Sequence, residues 1–318
     1  MEKPFVSILI PTYNREALIA ESIHSALSQN YDNFEVVVVD NASTDGTWME
    51  IQRIASADTR VRALRNETNV GPVRNWIECA RQAQGTLSKI LWSDDLIDPE
   101  YPNRTVPMIA DPRVSFVYTS ARIFTDSIES ESSSVHYNHL PTGVYDTRLF
   151  IEGSLLDISY PVSPGCFLLR TEDLKKNLIA DIPNAVGSDF KNHAIGNDLL
   201  LLLITANSYE KFGVVNEPLS MFRDHSGSIT TSSGVSRLVI HYDMAKAYFV
   251  QCFKINKHLR RRFNTLLWLH LHRHHSESFG IRCLQDFYPA AADTRIRITY
   301  LVGRVFSRLL RYLRLNSF

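Results

Sequence analysis

Ile90-Leu91-Trp92-Ser93-Asp94-Asp95 is an apolar run that ends in two adjacent carboxylates. The run reads as the end of a buried strand over residues 87–92. Successive strand residues point to opposite faces, so the acidic pair cannot serve one side of a sheet. Like charges this close repel, and burying either one is costly without a cation or a donor. A hard divalent ion takes oxygen ligands and leaves places for phosphate oxygens. The pair is therefore either a metal–diphosphate site or a solvated turn ahead of Pro99, and the flanking sequence decides between them.

Upstream, apolar strand runs at residues 6–10, 34–39 and 61–64 alternate with helical spacing over 17–29, 48–55 and 73–84. This order predicts an α/β fold, with a mostly parallel, Rossmann-like sheet flanked by helices. Continuous apolar strands suit a sheet covered on both faces. Ligands in such sheets bind at the carboxyl ends of the strands, and Tyr13, Asp40 and Asp94 all follow strand ends. Beyond residue 100 the alternation weakens. Residues 114–124, 162–169 and 212–215 read as strands, 126–140 as an exposed loop and 197–206 as a helix. A boundary is expected near residue 235, before a helix-rich C-terminal region.

The 318 residues carry 44% hydrophobic side chains and no formal net charge. The charge is uneven: residues 1–240 hold 20 Lys/Arg against 30 Asp/Glu, and residues 241–318 hold 14 against 4. A basic tail on an acidic body predicts contact with an anionic surface. Arg297, Arg304, Arg308 and Arg311 fall on one helical stripe among apolar residues, which fits a peripheral membrane helix over 295–318, or one packed on the domain or a dimer partner. No recognition motif for nucleic acid accompanies these charges. Cys79, Cys166, Cys252 and Cys283 are widely spaced and read as reduced thiols. Met1-Glu2-Lys3-Pro4 leads straight into a strand, with no secretory signal and no transmembrane run, so a cytoplasmic setting is expected.

Three elements precede the acidic pair. Ile8-Leu9-Ile10-Pro11-Thr12-Tyr13-Asn14 places a hydroxyl, a ring and an amide at a strand end, where Tyr13 would stack on a nucleobase or form a plain surface turn. In Val39-Asp40-Asn41-Ala42-Ser43-Thr44-Asp45-Gly46-Thr47, Asp40 is placed to accept from a ligand and Asp45 to cap the next helix. In Asn69-Val70-Gly71-Pro72-Val73-Arg74-Asn75, Arg74 opposes the helix dipole, which points to a phosphate or carboxylate partner, Asp94 among the candidates.

Together these motifs resemble the family 2 glycosyltransferases, which have the GT-A fold. The resemblance is strong over residues 5–100 and loose over 160–235. It implies a catalytic domain over 1–235, with nucleotide-sugar binding in 1–100 and the acceptor side in 101–235, and a basic helical region over 236–318. It implies that Pro11, Thr12, Tyr13, Asp40, Arg74 and Asp94 hold a nucleotide-sugar, usually a UDP-sugar. It implies that Asp95 ligates Mn²⁺ or Mg²⁺. Ser93-Asp94-Asp95 stands in place of a strict Asp-x-Asp. Asp198 matches the general base of the family, with Asp189 as a rival, and Asn197 replaces the acid usually found beside it. Within Met221-Phe222-Arg223-Asp224-His225, Arg223 is assigned to the diphosphate and His225 to the diphosphate or the metal. Pro161-Val162-Ser163-Pro164-Gly165-Cys166 either lines the sugar pocket or is simply a turn before a strand.

The implied activity is inverting, metal-dependent transfer of a sugar to a hydroxyl of a glycan or lipid-linked glycan. The implied setting is surface polysaccharide or glycolipid assembly at the inner face of the membrane. Two other classes stay open: a sugar-1-phosphate nucleotidyltransferase, and a non-catalytic nucleotide-sugar-binding scaffold.

Overall fold

Seven consecutive buried residues make each of the first two strands, β1 (Val6–Thr12) and β2 (Phe34–Asp40). Burial on both faces is what a parallel ladder under two helical layers requires. With β3 (Val61–Arg65) and β4 (Leu87–Ile90) they form a parallel block in the order β3-β2-β1-β4. Helices α1 (Ile19–Leu27), α2 (Thr47–Ala57) and α3 (Pro72–Gln82) make the crossovers. The computed structural model describes residues 3–125, 128, 133–225, 227 and 233–304.

The register places the strand tips side by side. Thr12 pairs with Asp40, and Asp40 pairs with Arg65. The β4 ladder stops at Ile90, two residues short of the run in the sequence, although Leu91 N still donates to Leu9 O at 2.9 Å. The backbone then turns through Asp94 and Asp95 into β5 (Leu96–Ile97).

After β5 come α4 (Tyr101–Ile109), β6 (Val114–Phe124), β7 (Ser134–His136), β8 (Gly143–Asp146) and α5 (Thr147–Leu155). Then follow β9 (Phe167–Arg170), α6 (Thr171–Asn177), α7 (Phe190–His193), α8 (Asn197–Asn207) and β10 (Lys211–Arg223). The sheet continues β4-β9-β6-β10-β5. β9 lies antiparallel to both β4 and β6, so this second half is mixed where the first is parallel. The strand expected over 162–169 is shorter than its apolar run, because Pro164-Gly165-Cys166 wind into one 3-10 turn first. β10 runs parallel to β6, with a register break between Val215 and Ser220. Pro218 falls in that break, where the lost ladder donor costs nothing. Antiparallel pairing with β5 at Ser220 and Met221 then carries Arg223 back to the acidic pair.

Helices α9 (Val235–Cys252) and α10 (Lys257–Arg273) complete the described fold, with residues 298–304 also helical. Met244, Phe249, Phe263 and Leu267 share one core with Phe116, Phe167, Leu199 and Leu203. Arg297 and Arg304 of the basic stripe are described; Arg308 and Arg311 lie outside the described residues. Among those, no helix is long and apolar enough to cross a membrane. All four cysteines are free.

Candidate active site

The tips of β1 and β2 form one wall. Asp40 is fully buried. Its Oδ2 lies 3.0 Å from Arg65 Nε. Ser43 donates to the same carboxylate through its backbone N–H, at 3.3 and 3.2 Å, and through its hydroxyl. Asp40 thus holds the loop after β2 as well as facing the tip of β1. That loop is stitched to the one after β1: Asn14 N donates to Ser43 Oγ, and Thr44 N donates to Asn14 Oδ1, both at 2.9 Å. Asn14 adopts φ 50°, a left-handed conformation that asparagine tolerates. Asp45 accepts from Thr47 N at 3.0 Å, but the cap position of α2 is Gly46, so Asp45 lies one residue outside it. Pro11 is buried, Tyr13 is 40% exposed, and the buried Thr12 Oγ1 has no hydrogen-bond partner. An open ring beside an unpaired hydroxyl is a surface that a nucleoside can complete.

The second wall is the acidic pair. Asp94 Oδ2 accepts from Arg15 Nε at 3.2 Å and from His225 Nε2 at 3.0 Å. Asp95 Oδ1 accepts the backbone N–H of Arg223 at 2.9 Å. The Arg223 guanidinium donates to the Asp94 carbonyl at 3.1 Å and to Glu21 at 2.6 Å, above the ring of Phe124. Burial, and then the neighbouring Asp94, hold the Asp95 carboxyl well above the usual carboxylate range. Two carboxylates with an imidazole beside them are a donor set that suits a hard divalent ion. Among the described residues no group of three or more His, Cys, Asp or Glu is arranged to hold a metal ion by itself.

Beneath the pair lies Lys89, on β4 and fully buried. Burial pushes its ammonium down to about 8. It donates to the Gly165 carbonyl and to Ser220 Oγ, the latter at 3.4 Å, and sits over the Tyr101 ring. Trp92 Nε1 donates to Ser163 Oγ at 2.8 Å. The 163–166 turn is therefore fastened to the strand that carries the acidic pair.

Asp198 sits in the first turn of α8. Its Oδ1 accepts from Gly196 N at 3.1 Å and from Leu199 N at 2.8 Å; its Oδ2 accepts from Tyr242 OH at 2.7 Å. Burial raises the carboxyl to about 6, against the pull of those donors. A carboxylate with this basicity accepts a proton near neutral pH. The neighbouring Asn197 donates to the carbonyls of Ile179 and Ala180 at 2.8 and 3.0 Å. A carboxylate could not donate there, so an amide at this position has a structural reason. The rival Asp189 is exposed, and its carboxylate takes the Asn192 amide of its own short helix at 2.6 Å.

A cleft of about 720 Å³ opens between α7 and α9, lined by Ser188, Asp189, Asn192, Arg237, His241 and Phe279 among others. Its hydrogen bonds fix the histidine tautomers. Ile195 N donates to His193 Nδ1 at 3.1 Å, so His193 Nε2 carries the proton and donates to Ser188 Oγ at 3.1 Å. His241 Nδ1 donates to the Arg237 carbonyl at 2.7 Å, so its Nε2 accepts from Ser188 Oγ at 2.9 Å. Burial lowers both imidazoles, His193 to about 4. The two imidazoles are then neutral, in a cleft that also holds the Asp189 carboxylate, the Arg237 guanidinium and the ring of Phe279.

The structure gathers Thr12, Tyr13 and Asp40 at neighbouring strand tips, and Asp94, Asp95, Arg223 and His225 around the acidic turn. His225 meets Asp94 rather than Asp95. Asp198 lies at the start of α8, bonded to Gly196, Leu199 and Tyr242 rather than to these residues. The pairing of Arg74 with Asp94 is corrected. Arg74 is half exposed at the start of α3, 3.9 Å from Asp181, and the guanidinium at Asp94 belongs to Arg15. Sequence reasoning passed over Arg15, although it directly follows Pro-Thr-Tyr-Asn. It also passed over Lys89, hidden in an otherwise apolar strand, and Tyr242, which has no local signal.

Comparison with known proteins bears on the family and the fold. The sequence profile of glycosyl transferase family 2 matches residues 7–178. The putative teichuronic acid biosynthesis glycosyltransferase TuaG of Bacillus subtilis is 30% identical over 117 residues, 37% of this chain and 46% of that protein. The Escherichia coli UDP-Glc:alpha-D-GlcNAc-diphosphoundecaprenol beta-1,3-glucosyltransferase WfgD is 31% identical over 127 residues, 40% of this chain and 49% of that protein. The chain thus spans about half the length of these curated relatives. Among solved structures, Staphylococcus aureus TarS 1–349 in complex with UDP-GlcNAc matches with a TM-score of 0.61 at 21% identity, covering 86% of this chain and 73% of that one. The mannosyltransferase PcManGT of Pyrobaculum calidifontis, in complex with GDP-Man and Mn²⁺, matches at 0.54 and 17% identity, covering 98% and 81%. At these identities the structural likeness establishes the GT-A fold.

Proposed function

The chain belongs to glycosyl transferase family 2, and on that premise we propose that it transfers a sugar from a UDP-sugar to a hydroxyl of a glycan or lipid-linked glycan, in surface polysaccharide or glycolipid assembly. The observation that carries this reading is the convergence of three strand tips. Tyr13 and Asp40 stand at two of them, and the Asp94-Asp95 pair, ringed by Arg15, Arg223 and His225, stands at the third.

In this account Tyr13 stacks on the uracil, and Thr12 and Asp40 meet its polar edge. Asp94 and Asp95 would hold Mn²⁺ or Mg²⁺, with His225 beside them; when bound, the ion supplies positive charge to the diphosphate. Arg15 and Arg223 add fixed cationic charge where the leaving group gains negative charge. The acceptor hydroxyl approaches Asp198. Its oxygen forms a bond to the anomeric carbon while its proton passes to Asp198. The bond from that carbon to the diphosphate oxygen breaks, and the electron pair leaves with UDP. A single displacement inverts the anomeric centre.

The named activities of TuaG and WfgD favour a polysaccharide setting, and the names of WfgD and of the TarS complex favour a UDP donor. A nucleotidyltransferase would need a Gly-rich basic loop after β1, where this chain has Pro11-Thr12-Tyr13-Asn14. The scaffold reading loses its support once Asn197 has a structural role and Asp198 retains the environment of a base. Membrane contact at the cytoplasmic face is supported by Ile298 and Val302, 69% and 62% exposed, within the segment that carries Arg295, Arg297 and Arg304. Calorimetry with UDP and Mn²⁺, and turnover of UDP-glucose and UDP-GlcNAc on the same sample, test the proposal. Binding with turnover is expected. Binding without any turnover would return the scaffold reading, and no binding would reject both.

A further inference from the structure

We propose that Tyr242, from helix α9 beyond the family-matched segment, is the positioning residue of the general base: its hydroxyl fixes the plane of the Asp198 carboxylate. The inference rests on Asp198 being that base, as argued above.

Asp198 has one oxygen occupied from its own chain segment, by the N–H groups of Gly196 and Leu199. These two bonds alone leave Oδ2 without a tether. Tyr242 supplies it, reaching back 44 residues to donate at 2.7 Å. That distance is typical of a hydroxyl donating to an ionised carboxylate. With Oδ1 doubly bound and Oδ2 singly bound, the carboxylate keeps lone-pair capacity for an acceptor proton only on the side that Tyr242 leaves open.

The approach of α9 that makes this contact is built into the backbone. Gly196 adopts φ +107°, and a Cβ there would come within 2.8 Å of Ala245 Cβ and 3.2 Å of the His241 carbonyl. Only glycine allows α9 to sit so close over the start of α8. One residue along the same helix, His241 reaches Ser188 in the cleft between α7 and α9. Adjacent positions of α9 therefore serve the base and the cleft.

The chemistry is suited to the role. The titratable groups facing Asp198 are Tyr242 from α9 and Tyr137 after β7. Burial, with Asp198 beside it, raises the Tyr242 phenol well above its ordinary value, so it remains a donor across the working pH range. Donation to the ionised form lowers a carboxyl's pKa. Tyr242 thus opposes the burial that raises Asp198 and keeps the base ionised near neutral pH.

The test uses the full chain carrying ¹³C-labelled aspartate carboxyls, with the Asp198 signal assigned by its loss in Asp198→Asn. In Tyr242→Phe the Asp198 midpoint should rise by roughly one to two pH units, while UDP affinity stays close to wild type. Tyr242→Gln, which keeps an N–H donor, should restore most of the shift. An unmoved midpoint in Tyr242→Phe overturns the inference. Hydrolysis of UDP-GlcNAc and UDP-glucose with Mn²⁺, followed against pH, separates this from the parent reading. The acid limb of turnover should move up with the midpoint in Tyr242→Phe, and a limb that stays put overturns the positioning role. Asp198→Asn should be nearly inactive; wild-type turnover there removes the base assignment itself.

Discussion

Arg15 Nε stands 3.2 Å from Asp94 Oδ2, joining the turn after β1 to the turn after β4 across 79 residues of sequence. Both side chains are largely shielded, 26% and 14% exposed, so the pair is less screened than a surface ion pair. Arg15 also donates to the Asn14 carbonyl at 3.1 Å and through its backbone N–H to Thr47 Oγ1 at 2.7 Å. A cation held this firmly beside the acidic turn is placed to meet a diphosphate. Arg15→Gln should weaken UDP binding in the presence of Mn²⁺ by about tenfold or more, the scale of one lost charged hydrogen bond. Calorimetry reads this directly, and an unchanged dissociation constant would leave Arg15 a purely structural tie.

Asp198→Asn should keep UDP affinity and lower turnover by at least about 100-fold, the usual contribution of a general base. In the wild type the carboxyl is raised to about 6, and the base acts only when ionised. Turnover should therefore climb as pH rises through about 6 and level off above it. A flat profile between pH 5 and 8, or comparable activity in the Asn variant, would transfer the role to Asp189 or elsewhere.

A second cluster ties the C-terminal helices to the sheet domain. His270 on α10 lies 2.7 Å from Asp243 and 3.4 Å from Asp157, and Lys246 lies 2.7 Å from Asp157. Burial pulls the imidazole down, but Asp243 and then Asp157 more than reverse this and leave it raised. A folded value above the unfolded one contributes stability below the unfolded value, near 6.5. That contribution is lost as pH rises through the raised folded value. The melting-temperature gap between wild type and His270→Gln should be widest at about pH 6 and shrink toward pH 8.5. A gap that widened with pH would contradict this assignment.

Membrane contact predicts a charge-dependent partition. Replacing Arg304, Arg308 and Arg311 together with Gln should reduce binding to vesicles rich in anionic lipid several-fold, since each basic residue near such a surface contributes about 1 kcal/mol. Binding to neutral vesicles should change little. Equal partition of both proteins onto anionic vesicles would remove the membrane from the account.

The legible part of this chain is the part governed by local pattern. Residues 36–39 are four valines in a row, a run that suits a strand covered on both faces, so the parallel block and its acidic tips follow from sequence. The later elements follow from tertiary context. Helix α4 contains Pro102 and Pro107, which break the pattern that marks a helix, yet both are accommodated in the fold. β9 enters antiparallel between β4 and β6, a choice of neighbour that a four-residue strand cannot announce. The same division runs through the site. Asp94, Asp95 and Asp198 were legible because carboxylates at strand and helix ends need a reason. The Arg15–Asp94 and Tyr242–Asp198 contacts join positions 79 and 44 residues apart and leave no mark in either local segment. Arg74 misled for the opposite reason: its unfavourable place in the first turn of α3 was real, but the fold turns it toward Asp181.

The central claim is that neighbouring strand tips form one pocket for a nucleoside diphosphate and its divalent ion. A crystal of this protein soaked with UDP and Mn²⁺, with anomalous data collected at the manganese edge, tests it most directly. The account predicts a manganese peak within bonding distance of the Asp94-Asp95 pair, the uracil ring against Tyr13, and both signals lost in Asp95→Ala. UDP ordered elsewhere on the molecule, or manganese bound away from that pair, would contradict it.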